Sequence, residues 1–581
     1  MGFLSGWVDS FKRADTQFGA DPDYASEFVK ESTGNNKPVL GNQEYANATT
    51  LVQTDDGGIA VVPEKSALKR NLHNRHIQFI ALGGGIGTGL FIGSGSELAT
   101  GGPGSLIINF IIVGVMIMCV IFSLGELAAT LPVSGAFSAY ASRFVDPAWG
   151  FAMGWNYYLQ WLIVMPLEFT AAAIVIQFWD PDQKVTPGVW VIIFFVVITV
   201  INLFGVRGYA EFEFFATALK VITVLGLIIV LICIDCGGTP SNKYLGTGTW
   251  YNPGAFNAGF KGFCSSFTGV AFAFAGTELV GLASAETAEP RKVLPKACQQ
   301  VVIRIVLFYI LSLLLVTFIV PYNDPRLTNG SGTYDPHTSP FVIALKIGQI
   351  KVLPHIVNAI IIVSTLSVAN SSVYASSRTM LSLAEQGFAP SLFKYVDRAG
   401  RPLPAVILSL AFGLLAFLIY ASNEGTIFGW LLSISGLSAV FAWGSICLCH
   451  IRFRGAWLHQ GLSLRELPWT SPLGMVGAYT GLSLCVLVVI ASFYASAFPI
   501  GEGEENSNDR ANDFFNGMLS LVIVIVFGLA WKLIRRTRFV RLSEMDIHTG
   551  RREAVSDEVL EQEQAEKRAK PTWMRIVEMV F

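Results

Sequence analysis

Long apolar runs alternate with short polar stretches along almost the whole chain. A membrane helix needs about 20 mainly apolar residues. Twelve segments meet that length: 77–98, 106–127, 149–178, 187–206, 213–235, 262–284, 303–322, 352–382, 403–421, 425–449, 474–497 and 514–534. Residues 106–124 and 468–501 contain no charge at all. With twelve crossings, the basic loops fall on one side. They hold Arg143, Arg207, Arg291, Lys292, Lys296, Lys394, Arg398, Arg401, Arg452 and Arg454, joined by the flanks Lys69, Arg70, Arg75 and Arg535, Arg536, Arg538. The opposite loops hold Asp180, Asp182, Asp324, Asp335, Glu502, Glu504 and Glu505, with Lys346 and Lys351 as exceptions. The positive-inside rule then places both termini in the cytoplasm.

The first 76 residues are mainly polar, so the first span is expected to direct insertion without a cleaved leader. Residues 1–70 read as a disordered tail, and residues 540–570, rich in Glu, Gln and Lys, as a short surface helix. Neither tail has the size of a usual catalytic domain.

Composition narrows the classes further. The 581 residues are 52% hydrophobic and 14% charged, against roughly 25% charged in soluble domains. A net charge of −2 gives no basic field for nucleic acid. Cys233 and Cys236 form a C-x-x-C, and Cys447, Cys449 and His450 cluster, but no second ligand pair stands at zinc spacing. No metal site is expected. Asn329-Gly330-Ser331 falls in an acidic-side loop and is a glycosylation candidate.

Two spans carry interruptions. Span one contains Gly83-Gly84-Gly85-Ile86-Gly87-Thr88-Gly89. Each glycine inside a helix costs about 1 kcal/mol against alanine, so the run favours unwinding. Unwound backbone at membrane depth is tolerated only where it is buried in protein or lines a cavity. The run does not fit the G-x-G-x-x-G nucleotide template in any register. Close packing through small residues is the plainer reading, but packing needs one small face rather than a continuous run. Span six carries a weaker interruption, Phe272-Ala273-Phe274-Ala275-Gly276-Thr277-Glu278. It lies five spans later. Broken helices in matching positions of two five-span halves point to an inverted-repeat transporter with a midplane site. The division is then 1–76, a cytoplasmic tail; 77–235 and 262–450, the two repeats; 474–534, two additional helices; and 535–581, a second cytoplasmic tail. Half-helix N-termini can hold a carboxylate and free carbonyls an ammonium, which suits a zwitterionic amino acid.

Charges within spans are costly and usually functional. Glu168 lies deep in span three, Lys220 interrupts span five, Glu278 follows the break in span six and Glu126 ends span two. Snorkelling of Lys220 to the interface, satisfaction of freed backbone by Glu278 and a structural role for Glu126 are the plainer readings. Buried carboxyls and lysines can load and release protons near neutral pH.

These residues stand among longer motifs: Asn74-Arg75-His76-Ile77-Gln78, Gly83 through Gly95, Gly101-Gly102-Pro103, Phe274 through Glu278, Glu289-Pro290-Arg291-Lys292, Asn370-Ser371, Ser377-Arg378 and Gly387-Phe388-Ala389-Pro390. In this order they resemble the fungal amino-acid permeases of the amino acid–polyamine–organocation superfamily, and within them the general amino-acid permeases. The resemblance spans about residues 64–560. It implies an all-α fold of twelve transmembrane helices, two inverted five-helix repeats of LeuT type plus two extra helices. It implies carboxylate binding at the N–H groups around Gly87, Thr88 and Gly89, ammonium binding at carbonyls near Gly85 and Ala275, and an aromatic gate at Phe272. Lys220 resembles a lysine that stands where other carriers bind sodium, and Glu168 a glutamate tied to coupling or recognition. Glu278 joins them as a coupling candidate.

The expectation is proton-coupled import of many amino acids across the plasma membrane by alternating access, with protons as the coupling ion and no cofactor. A narrow-specificity permease and an amino-acid receptor with little transport are the alternatives. Lys12, Lys30 and Lys37 are candidate acceptors for the ubiquitination machinery. The chain lacks the terminal cysteine that relatives often carry, so tail lipidation is not expected.

Overall fold

A computed structural model describes residues 74–133, 135–287, 290–328, 339–420, 424–500 and 507–551, together with residues 10, 13, 49–53 and 59–63. Nine helices among these are long and apolar enough to cross a membrane, and Pro187–Leu203 and Leu403–Leu418 are shorter apolar helices. One of the nine, Gly89–Thr130, contains the second half of span one and all of span two. Gly102, at φ 78° and ψ 172°, turns the chain between them just before Pro103. These elements are consistent with twelve crossings.

Span one is Asn74–Gly83 followed, after a break, by Gly89–Gly93 and the start of Ser94–Thr130. Spans three, four and five are Pro147–Ile176, Pro187–Leu203 and Gly205–Asp235. Span six is assembled from Gly259–Ser265, Phe267–Phe274 and Leu279–Ala283. Span seven is Pro290–Ile303 continued through Arg304–Leu311 and Ser312–Ile319. Spans eight, nine and ten are Leu353–Glu385, Leu403–Gly413 with a tighter turn to Tyr420, and Glu424–His459. Spans eleven and twelve are Gly474–Ala497 and Ser507–Arg535. A short helix follows the second span of each half, Ala136–Phe144 and Pro340–Ile347. An odd number of crossings per half inverts the second copy relative to the first.

Burial separates centre from rim. The apolar stretch of span six is 89% buried, that of span twelve only 17%. Rim spans present apolar side chains outward, such as Ile192, Ile222, Ile229, Leu529 and Leu533. In lipid such exposure carries no hydrophobic penalty.

Several sequence expectations change. Arg291, Lys292 and Lys296 lie on the helix of span seven, and Arg452 and Arg454 on that of span ten, rather than in loops. Both helices run on past the apolar stretch into polar sequence. The tail read as disordered contains a hairpin, Thr49–Gln53 paired antiparallel with Ile59–Pro63. Both strands are rich in β-branched residues, which favour strands. Residues 536–551 are not helical, although the surface helix expected over 540–570 would begin among them. Their backbone bonds to other elements instead. Val540 N–H donates to Val145 O at 3.0 Å, Gln460 Nε2 to Met545 O at 2.8 Å and Arg143 Nη1 to Thr549 O at 2.7 Å. Asp146 anchors this strap, accepting from Lys532 and, at 2.6 Å, from Thr537. The remainder of that segment, Asn329, Lys12, Lys30 and Lys37 lie outside the described residues.

The turn at Gly102 is tied to the chain entering span six. Asn257 N–H donates to Gly101 O at 2.9 Å, and Gly104 N–H to Ala255 O at 2.7 Å. Asn257 Nδ2 donates to Ala99 O at 2.7 Å.

Candidate functional site

Span one loses its helix over residues 84–87, and span six over 275–278. The two breaks face each other. A Cβ on Gly85 would stand 2.8 Å from Ala275 O, and one on Gly276 2.9 Å from Gly84 O. Gly276 has φ 92°, a conformation that side chains resist. Just beyond the break in span one, Gly89 packs so closely that its Cβ would lie 2.4 Å from Ala273 Cα. Gly85, Gly87, Thr88, Gly89 and Ala275 therefore converge on one place, with Phe272 buried on the adjoining turn.

A broken helix leaves carbonyls and N–H groups without partners one turn away. Two buried cations serve the first half-helix of span one at its negative end. Arg304 Nη1 donates to Ala81 O at 2.9 Å, and Lys220 Nζ to Gly83 O at 3.1 Å. Arg304 also donates to Thr277 Oγ1, joining the two breaks. Tyr309 places its hydroxyl 2.8 Å from Gly85 O and 2.9 Å from Ala273 O. Gly85 O, expected to face an ammonium, is thus already within reach of a protein donor. Across the gap, the second half of span one begins at Thr88, where N–H groups and the positive end of the dipole gather.

Three of the four ionisable residues singled out by sequence border this centre. Glu168 accepts from Thr88 Oγ1 at 2.7 Å, and its second oxygen is buried without a hydrogen-bond partner. Lys220 reaches the break through Gly83 O and also donates to Ser367 Oγ at 2.8 Å. Glu278 accepts from Gly276 N–H at 3.3 Å, Tyr157 OH at 3.3 Å and Trp443 Nε1 at 3.1 Å. It closes the break in span six and links it to spans three and ten. Glu126 stands apart. It accepts from Arg454 Nε and Nη2, at 2.7 and 2.5 Å, and from the Ser471 N–H at 2.6 Å, with His450 Nε2 3.0 Å away. That arrangement ties span two to span ten and the following loop.

Sequence reasoning missed Arg304, Tyr309 and Glu213. Arg304 and Glu213 fall at the edges of predicted spans, where a charge reads as interfacial. Tyr309 carries no signal beyond being one aromatic residue among many. Glu97, inside a predicted span, is also buried and is hydrogen-bonded to Ser266.

An inverted-repeat bundle with two opposed broken helices is the architecture of a membrane transporter, not of an enzyme. The chain matches the amino acid permease family over residues 76–544 and belongs to it. It is 49% identical over 529 residues to the general amino-acid permease GAP1 of Saccharomyces cerevisiae, covering 89% of this chain and 86% of that protein. It is 50% identical over 514 residues to the general amino-acid permease GAP2 of Candida albicans, covering 88% and 86%. It is 47% identical over 492 residues to the cationic amino acid transporter 1 of Schizosaccharomyces pombe, covering 84% and 82%. Among solved structures, a mutant manganese transporter of Eremococcus coleocola aligns with TM-score 0.51 at 14% identity, covering 80% of this chain and 94% of that one. The last likeness concerns the fold alone.

Proposed function

We propose that this permease imports amino acids of many kinds across the plasma membrane together with protons, by alternating access. The observation that carries the reading is the pair of opposed helix breaks. One supplies N–H groups at a positive helix end, and the other supplies carbonyls, the two needs of a zwitterion. The substrate carboxylate would sit at Gly87, Thr88 and Gly89. The ammonium would sit near Ala275 and Gly85, where the Tyr309 hydroxyl can give way by turning to Ala273 O. Phe272 would close over the substrate. Breadth is supported by likeness to two proteins named as general amino-acid permeases.

Proton coupling is supported by the placement of Lys220. A buried ammonium bound to the last carbonyl of a half-helix is a charge that the bundle has to compensate. A site that loads a proton there and unloads it after transport would move charge with the membrane potential, worth about 2.3 kcal/mol per 100 mV. Glu168 and Glu278 are the other coupling candidates. Basic loops facing the cytoplasm would place both tails there.

The test is uptake of a panel of labelled amino acids into proteoliposomes, with and without an inward proton gradient. Accumulation of many amino acids only with the gradient is expected. Accumulation of one or two would refute the breadth, and binding without accumulation would favour a receptor. Lys220→Met is expected to abolish gradient-driven accumulation; unchanged uptake at every pH removes Lys220 from the mechanism.

A further inference from the structure

Span five carries Glu213, Thr217 and Lys220 at i, i+4 and i+7, one stripe along one helix face. Side chains on a helix lean toward its N-terminus, so Lys220 reaches back toward Glu213. The two do not meet directly, for Lys220 Nζ stands 3.9 Å from Glu213 Oε1. Ser367 of span eight fills the step between them. It receives a hydrogen bond from Lys220 Nζ at 2.8 Å and gives its own proton to Glu213 Oε2 at 2.5 Å. Thr217 Oγ1 steadies the other carboxylate oxygen at 3.4 Å. All four side chains are fully buried.

The donors in this chain point one way. Lys220 donates to Ser367, and Ser367 donates to Glu213. Glu213 is two helical turns nearer than Lys220 to the end of span five that carries Arg207. The surrounding charges are engaged elsewhere. His76 of span one lies 3.4 Å from Glu211, Arg304 of span seven holds Ala81 O, Glu168 of span three holds Thr88, and Arg378 of span eight holds Glu286 of span six at 3.0 Å.

We infer that Lys220, Ser367 and Glu213 form a proton relay, in which Glu213 accepts the proton that Lys220 gives up and passes it to the face bearing the basic loops. In the transfer, an N–H bond of the Lys220 ammonium breaks as an O–H bond forms on Ser367. The former Ser367 proton moves to Glu213 Oε2. Lys220 ends as a neutral amine, Ser367 as a hydroxyl again and Glu213 as a neutral acid, with net charge unchanged. Glu213 then releases its proton to water when that face opens, and Lys220 takes the next proton from the substrate side. Glu213 and Ser367 carry the proton itself, and neither touches the substrate site.

The inference rests on the proton-coupled reading. The full-length protein would be reconstituted into vesicles holding a pH-sensitive dye. Substrate-driven proton entry would be compared with amino-acid exchange at equal pH on both sides. Ser367→Ala is expected to lower proton entry relative to exchange by about 100-fold, the low end of what a positioned proton donor contributes. Ser367→Thr is expected to restore it, and Glu213→Gln to abolish proton entry. A wild-type ratio of proton entry to exchange in Ser367→Ala overturns the relay, and this variant decides the matter if Glu213→Gln fails to fold. Wild-type uptake without proton entry overturns the coupled reading and the relay together. Wild-type proton entry with unaltered variants overturns the relay alone.

Discussion

Replacing Gly89 by alanine tests the geometry of the two breaks most directly. The new methyl carbon would stand 2.4 Å from Ala273 Cα and 2.9 Å from Ala273 N. Ordinary van der Waals contact begins at 3.4 Å, so the methyl is about 1 Å too close. Both obstructing atoms are backbone, and no side chain can swing aside. The second half of span one must back away from span six, at the overpacking cost of about 1–3 kcal/mol. A displacement near 1 Å in a positioned site can cost about 100-fold in rate. Gly93, one turn on, is the internal control. A methyl there meets nothing nearer than 3.7 Å, at Thr88 O. Initial uptake rates should be normalised to the amount of folded protein at the membrane, with thermal unfolding in detergent recorded beside them. Gly89→Ala is expected to lose uptake severely, while Gly93→Ala keeps it. Equal activity of the two variants, or equal loss, would refute the argument that contact between the breaks sets the site.

Three further outcomes follow from other parts of the bundle. Glu126→Gln leaves Arg454 buried without its carboxylate, and unfolding in detergent should show a loss of about 3–5 kcal/mol. Tyr309→Phe strips a hydroxyl from two buried carbonyls. Uptake should fall and stability drop by about 1–3 kcal/mol, with unchanged unfolding arguing against that bridge. Burial raises the Asp146 carboxyl, but Lys532, Thr537 and the Ala148 N–H together hold it below its ordinary value. A depressed carboxylate contributes stability above its unfolded-state pKa and loses it as pH falls through the folded one. The strap of residues 536–551 should therefore loosen in hydrogen exchange only below about pH 4, and at neutral pH in Asp146→Ala.

The spans were legible because the bilayer imposes one length on every crossing, and because Gly83–Gly89 is too glycine-rich for a plain helix. Apolar length alone misplaced the helix ends. Pro290–Ile303 and the end of span ten leave the apolar stretch while keeping helical hydrogen bonds, so neither shows in hydrophobicity. Lys220, Glu168 and Glu278 stood out as charges within apolar runs. Glu213 and Arg304 are also ionisable and as fully buried, yet each sits where a run begins. Their partners explain the burial, and those partners are distant in sequence: Ser367 is 154 residues from Glu213, and Ala81 is 223 from Arg304. The strap at 536–551 has no periodicity to read, since its backbone bonds to Arg143, Val145 and Gln460, far along the chain.

The bonds between the turn at Gly102 and the chain before span six have a consequence for how such a carrier can diverge. Two of the three run from main chain to main chain, and the third uses the Asn257 amide. A joint of that kind does not depend on which side chains line the substrate path. Its vulnerable points are the glycines that admit it, for a Cβ on Gly102 would meet Asn257 N at 2.8 Å and one on Gly104 would meet Ala255 O at the same distance. Side chains elsewhere along the two broken helices can therefore be exchanged while the turn at Gly102 and the chain before span six stay joined.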